Sequence, residues 1–210
     1  MSDIRIGRMT LGVCATNCYF LYKEGKSEAI VVDPADRGAD IYHALRQKGF
    51  EVTAILLTHG HFDHIYGVEK LRELSGAKVY VLEAEKVLCR DAFVNISANF
   101  GRKITLVPDE WLQDGQELVL ADIPLKVIAV PGHTIGSACY YIEEANLLVS
   151  GDTLFESSVG RTDLPTGNMS KLIRSIKEKL FILPEETKVY PGHGDITTIG
   201  DEKKYNPFCQ

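Results

Sequence analysis

Two hundred and ten residues give room for one large domain or two small ones, and no internal linker argues for two. A net charge of −6 argues against a general binder of nucleic acid or of anionic membrane surfaces. The five scattered cysteines, Cys14, Cys18, Cys89, Cys139 and Cys209, fit reduced thiols better than a disulfide framework, and the zinc-like spacing of Cys14 and Cys18 has no second pair to complete it.

The amino-terminal stretch Met1-Ser2-Asp3-Ile4-Arg5 has no basic segment followed by a long apolar run, and no later run approaches the length of a bilayer span. A soluble, cytoplasmic protein is expected. Two β-rich runs, residues 17–22 and 29–32, flank the turn-like Lys23-Glu24-Gly25-Lys26-Ser27 and predict a hairpin, closed by Asp33-Pro34. Ile41, Ala44, Leu45 and Lys48 mark an amphipathic helix ending at Gly49, with His43 on its outer face as an ordinary solvated histidine. The apolar run 52–57 then reads as a strand.

That strand leads into Thr58-His59-Gly60-His61-Phe62-Asp63-His64, where four potential metal ligands fall within seven residues. In extended chain His59 and His61 project to the same side, so both can reach one ion. Asp63 and His64 lie where a loop enters a helix, whose apolar positions Ile65, Val68, Leu71 and Leu74 precede a C′ candidate at Gly76. They are therefore aimed elsewhere than the first pair. The zincin pattern His-Glu-x-x-His is absent, so further ligands must come from other parts of the chain.

Residues 78–82 read as another strand and 83–90 as a helix or helical turn, while 91–102 form a long connection suited either to substrate contacts or to plain linkage. A β-rich half follows, with strands expected at 104–107, 117–120, 125–130, 137–142 and 147–150. Leu172, Ile173, Ile176 and Leu180 define a helix stopped by Pro184. Three more ligand candidates stand at strand ends beside glycine: His133 in Pro131-Gly132-His133-Thr134, Asp152 in Gly151-Asp152-Thr153, and His193 in Tyr190-Pro191-Gly192-His193-Gly194. Two β-rich halves with helices suggest an α+β fold of two packed sheets with helices outside. Seven ligands are too many for one catalytic zinc, but suit two ions with a bridging carboxylate.

The order T-H-x-H-x-D-H, P-G-H-T, G-D-T and P-G-H resembles the metallo-β-lactamase superfamily, and Gly151-Asp152-Thr153-Leu154-Phe155 with Tyr190-Pro191-Gly192-His193 is most similar to its short glyoxalase II-like members. The resemblance spans the first hairpin to His193. It implies an αββα sandwich of two mixed sheets, here as one domain over residues 1–210. It assigns His59, His61 and His133 to a first ion and Asp63, His64 and His193 to a second, with Asp152 bridging. Zinc is the expected metal, with iron or manganese as other choices.

The expected reaction is hydrolysis of a small-molecule thioester such as a hydroxyacyl-glutathione, with a water between two dications acting as hydroxide near neutral pH and Asp63 and Asp152 as the acidic residues of the reacting centre. A thiolate leaves with little help, whereas an amide nitrogen needs a proton donor. Full-length glyoxalase II proteins continue into a helical domain that helps hold glutathione, whereas seventeen residues follow His193 here, so that half of the glutathione site is expected to be missing. The family's two tyrosines are replaced by Asp163 and Asp195, while its basic residue matches Arg161, which can anchor a substrate carboxylate or pair with Asp163. A second resemblance, carried by Gly160-Arg161-Thr162-Asp163, is to the persulfide dioxygenases of the same superfamily. It implies one iron on His59, His133 and Asp152, although Gly192-His193-Gly194 fits the hydrolases better. A nuclease of this fold is disfavoured by the acidic charge.

Overall fold

The computed structural model describes residues 3–210; Met1 and Ser2, part of the stretch read above for a targeting signal, lie outside the described residues. The first sheet has the order β1 (Ile4–Leu11), β2 (Thr16–Lys23), β3 (Glu28–Val32), β4 (Glu51–Leu56), β5 (Lys78–Leu82) and β6 (Glu110–Leu112). It is antiparallel from β1 to β3 and parallel from β3 to β6. The second sheet contains β7 (Glu117–Leu120), β8 (Ile123–Ala129), β9 (Ala138–Ile142) and β10 (Leu147–Gly151). After the small hairpin β11 (Leu154–Phe155) and β12 (Ser158–Val159), β13 (Lys188–Pro191) and β14 (Thr197–Thr198) complete its order β14-β13-β10-β9-β8-β7. Only β10 and β13 run parallel in it.

Period-two alternation sorts the strand residues into layers. Tyr19, Leu21, Ile30, Val32, Ala54 and Leu56 point toward the second sheet and meet Val127, Ala138, Tyr140, Ile142, Leu147 and Val149 in a shared core. The alternate residues Cys18, Phe20, Val31 and Ile55 pack outward under Ile41 and Leu45 of α1 (Gly38–Gln47). Behind the second sheet, Cys139, Tyr141 and Leu148 pack with Leu172, Ile176 and Leu180. The result is a helix layer, two mixed sheets and a second helix layer, the αββα sandwich that the sequence resemblance implied. Among the described residues no helix is long and apolar enough to cross a membrane.

Three local readings change. The helix expected from Ile65 onward is split into α2 (Phe62–Ile65) and α3 (Val68–Ser75), because the Gly67 amide turns to Pro34 O at 2.8 Å instead of to a carbonyl one turn back. Asp63 and His64 thus lie inside a helical turn, not in the loop before it. Residues 104–107 form no strand: the Leu106 amide bonds Cys89 O at 2.7 Å, within α4 (Lys86–Arg90), and β6 follows Pro108 instead. The helix at the second sheet begins as α5 (Met169–Ser175), capped by the Asn168 side chain, and continues through a wider turn to Leu180. The last helix, α6 (Ile199–Tyr205), and strand β1 were not expected from the sequence.

Segment 91–102 is anchored, not free-standing. Asn95, wholly buried, donates to Leu88 O and Ile104 O at 3.1 and 2.9 Å, while its own carbonyl accepts the Phe62 amide. The Phe100 ring stacks on Phe62 with centroids 4.0 Å apart, which seats this segment beside the helical turn that carries Asp63 and His64.

Candidate metal centre

The carboxyl ends of β4, β8, β10 and β13 deliver the candidates to one rim of the sandwich. Cross-sheet hydrogen bonds close that rim: Ala138 N donates to Thr58 O at 2.8 Å, Tyr140 Oη to Leu57 O at 2.6 Å and Tyr19 Oη to Pro191 O at 2.8 Å. All seven residues singled out in the sequence as ligands converge there, in three overlapping groups: His59, His61 and His133; His59, His64 and Asp152; Asp63, His64 and His193.

The first group is the drier one, with His59, His61 and His133 no more than 2% exposed, against 29% for His193. His133 Nε2 lies 2.9 Å from His61 Nδ1 and 3.2 Å from His59 Nε2. Asp152 stands between the groups, one oxygen 3.6 Å from His133 Nε2 and 3.5 Å from His193 Nε2, the other 3.4 Å from His64 Nε2. Asp63 Oδ2 is 3.3 Å from His193 Nε2 and accepts from Thr16 Oγ1 at 3.0 Å.

Outward-facing partners set which nitrogen each imidazole presents. His133 Nδ1 donates to Arg161 O at 2.7 Å and His193 Nδ1 to Cys14 O at 3.2 Å, so both turn Nε2 inward. The Thr58 hydroxyl donates its proton to Asp33 at 2.6 Å and therefore accepts from His59 Nδ1 at 3.1 Å. His64 Nδ1 is paired with Asp33 at 2.9 Å. Gly192 has no room for a Cβ, which would collide with Asp152 Oδ1 and come within 2.7 Å of His64 Cε1.

The two groups differ electrically. Burial, then the neighbouring imidazoles, pushes His59 well below its usual range and His61 down to about 3, and burial lowers His133 as well. Against the upward push of burial, His64 and His193 hold Asp63 at about 2 and Asp152 well below the carboxylate range. Burial opposes but does not prevent the reverse effect, in which the carboxylates lift His64 well up and His193 to about 9.

This donor set fits divalent cations. His61 Nε2, His64 Nε2 and Asp152 Oδ1 are buried without a hydrogen-bond partner, and such atoms are rare unless something else satisfies them. Neutral imidazole nitrogens converging on one point, next to ionised carboxylates, are what borderline cations such as zinc or iron bind. His43 lies exposed on α1, away from this set. The Arg161 side chain is exposed and forks onto Asp163 with two 2.7 Å contacts; its backbone carbonyl, not its guanidinium, touches the ligand groups.

Sequence reading missed Asp33, Thr58 and Glu85. Glu85 is wholly buried and accepts from the Gly60 amide at 2.9 Å and from Thr134 Oγ1 at 3.0 Å. Burial outweighs those donors and pushes its carboxyl up to about 7. The signal for Asp33 was an acid directly after the fully apolar end of β3, a place where a strand otherwise buries only hydrocarbon.

The family model of the metallo-beta-lactamase superfamily matches residues 11–193, and the chain belongs to that superfamily. Within it, the chain groups with small metallo-hydrolases and is more distantly related to the hydroxyacylglutathione hydrolase GloC. It is 40% identical over 203 residues to the probable metallo-hydrolase YqgX of Bacillus subtilis, covering 96% of this chain and 95% of that one. To GloC of Haemophilus influenzae it is 31% identical over 195 residues, covering 91% and 92%. Among solved structures it is similar to the B3 metallo-beta-lactamase BLEG-1, with a TM-score of 0.92, 38% identity and 98% and 99% coverage. It is also similar to TTHA1623 in a di-iron-bound form, with a TM-score of 0.86, 35% identity and 96% and 99% coverage.

Proposed function

We propose that this protein is a two-ion metallohydrolase that cleaves a small thioester, with His59, His61 and His133 holding one ion, Asp63, His64 and His193 the other, and Asp152 bridging. The observation that carries this reading is the place of Asp152 between the two sets of ligands, one of its oxygens within 3.6 Å of both His133 Nε2 and His193 Nε2 and the other 3.4 Å from His64 Nε2. Zinc is the proposed metal, with iron or manganese as substitutes that the same donors accept. Such a pair supplies an activated water and a Lewis acid for the acyl oxygen.

The chain's own residues favour the thioester. Asp63 and Asp152 stay ionised at any working pH, so neither can protonate a departing group. A thiolate departs without that proton, because a thiol ionises near pH 8.5. Arg161 can exchange Asp163 for a substrate carboxylate, since both partners are exposed and a solvent-screened ion pair is held weakly. The relation to GloC supports a hydroxyacyl-glutathione as the first substrate to try.

The mononuclear dioxygenase reading uses His59, His133 and Asp152 and leaves Asp63, His64 and His193 assembled without a role. One assay separates the two. Zinc-loaded and iron-loaded protein is given a glutathione thioester and a glutathione persulfide, while thiol release and oxygen uptake are followed. Thiol release from the thioester without oxygen uptake is expected; oxygen uptake with the persulfide, and no thiol from any thioester tried, would overturn the hydrolase reading.

A further inference from the structure

Glu85 lies outside the seven-residue ligand set, in the short turn Glu83–Glu85 after β5, yet its carboxyl group spans two of the loops that carry those ligands. One oxygen accepts the Gly60 amide, between His59 and His61. The other accepts Thr134 Oγ1, directly after His133. The Gly136 amide donates to the same carboxyl group, and a Cβ at Gly136 would collide with Glu85. Thr134 is fixed in turn by Ser137, whose hydroxyl lies 2.7 Å from Thr134 Oγ1 and accepts the Thr134 amide at 3.0 Å. The first loop leaves the first sheet and the second leaves the second sheet, so this single side chain bridges the sandwich.

We propose that Glu85 is a positioning residue for the three-histidine half of the metal centre, clamping the His59-Gly60-His61 loop against the His133-Thr134 loop at the spacing that one ion needs. The inference rests on the two-ion reading above. Its chemical basis is that Gly60 and Gly136 offer backbone amides, which can only donate. In its ionised form the carboxyl group accepts with both oxygens, one toward each loop. A glutamine has the same shape but only one oxygen, so its NH2 group would meet an N–H or displace the Thr134 hydroxyl. Partners one shell out from a metal typically change affinity by about 10–100-fold when removed, because they hold the ligands in register.

The test isolates the three-histidine site. In a His193→Ala background, metal-stripped protein with Glu85 intact, with Glu85→Gln and with Thr134→Val is titrated with Co2+, following affinity by chelator competition and the visible spectrum of the bound ion. Melting with chelator present gives the fold stability separately. Both substitutions should weaken Co2+ binding by about 10–100-fold and alter the spectrum. Wild-type affinity and an unchanged spectrum in Glu85→Gln, whatever its melting temperature, would overturn the proposal and leave Glu85 as a buried structural acid. Should Glu85→Gln not fold, Thr134→Val decides by the same criterion. If the otherwise wild-type chain takes up no Co2+ in either site, the two-ion reading itself fails; unaltered variants of a chain that binds two ions sink the positioning role alone.

Discussion

The carboxylate of Asp33 lies 2.9 Å from His64 Nδ1, with both side chains buried. Asp33 reaches this position with a left-handed backbone, φ 49°, and takes the Thr58 amide and hydroxyl at 2.8 and 2.6 Å as well. One acid at the end of β3 thus orients His64 directly and His59 through Thr58.

Asp33→Asn tests that orientation with little change of shape. If the new amide oxygen keeps the Thr58 backbone amide, its NH2 takes the place of the oxygen shared by the Thr58 hydroxyl and His64 Nδ1, and it draws that nitrogen's lone pair outward, leaving a proton on Nε2. Affinity for the ion on Asp63, His64 and His193 should fall by about 10–100-fold, with the three-histidine site less affected. Metal titration with per-site affinities checks it.

On the proposed bridging role, Asp152→Ala should weaken both sites together, since this one side chain lies against His64, His133 and His193. Loss of only one ion by elemental analysis would show that it does not bridge. Gly192→Ala is the steric counterpart: its methyl group would displace Asp152 and crowd His64, and activity should fall with metal content even though no ligand is changed.

Arg161→Ala should raise KM with kcat little changed, as removal of uniform binding does. Asp163→Ala frees the guanidinium from its present partner and should lower KM for a carboxylate-bearing substrate. An unchanged KM together with a lower melting temperature in Arg161→Ala would assign the arginine to the ion pair alone.

Glu85 gives a pH dependence of definite sign. Its carboxyl group is raised from 4.5 to about 7 in the fold, mainly by burial, so the folded chain holds this proton more tightly than the unfolded one. The stabilisation is complete below about pH 4.5 and is lost as pH rises through 7, a change of about 3 kcal/mol for such a gap. Denaturant melts of chelator-treated protein should show this decline between pH 5 and pH 8, roughly the span of the shift, relative to Glu85→Gln, which cannot titrate. Parallel curves for the two proteins would contradict it.

The seven ligand-type residues were legible because they cluster in short motifs at strand ends, where glycine and histidine together have few ordinary uses. The strands with continuous apolar runs, such as β4 and β5, were legible for the same local reason. Asp33 and Glu85 were not, since each is a single acid whose partners lie about 25 or more residues away: Thr58 and His64 for one, Gly60 and Thr134 for the other. β1 escaped because Arg5, Gly7 and Arg8 break its apolar pattern, as a half-exposed edge strand permits. Residues 104–107 misled in the other direction: β-branched composition describes a surface to be buried, not a ladder partner.

Each of the three ligand groups takes two members from the stretch after β4 and one from the second sheet. Neither sheet can complete a coordination set alone, so an ion bound there is a removable clasp across the seam of the sandwich. At a free metal concentration 100 times its dissociation constant, such a ligand adds about 2.7 kcal/mol to the folded state. Chelation should therefore lower the melting temperature as well as abolish turnover, which calorimetry can register without any substrate. Ion supply should then set how firmly the two halves of the protein are shut, and hydrogen exchange of metal-starved protein should be fastest at the rim where the two sheets meet.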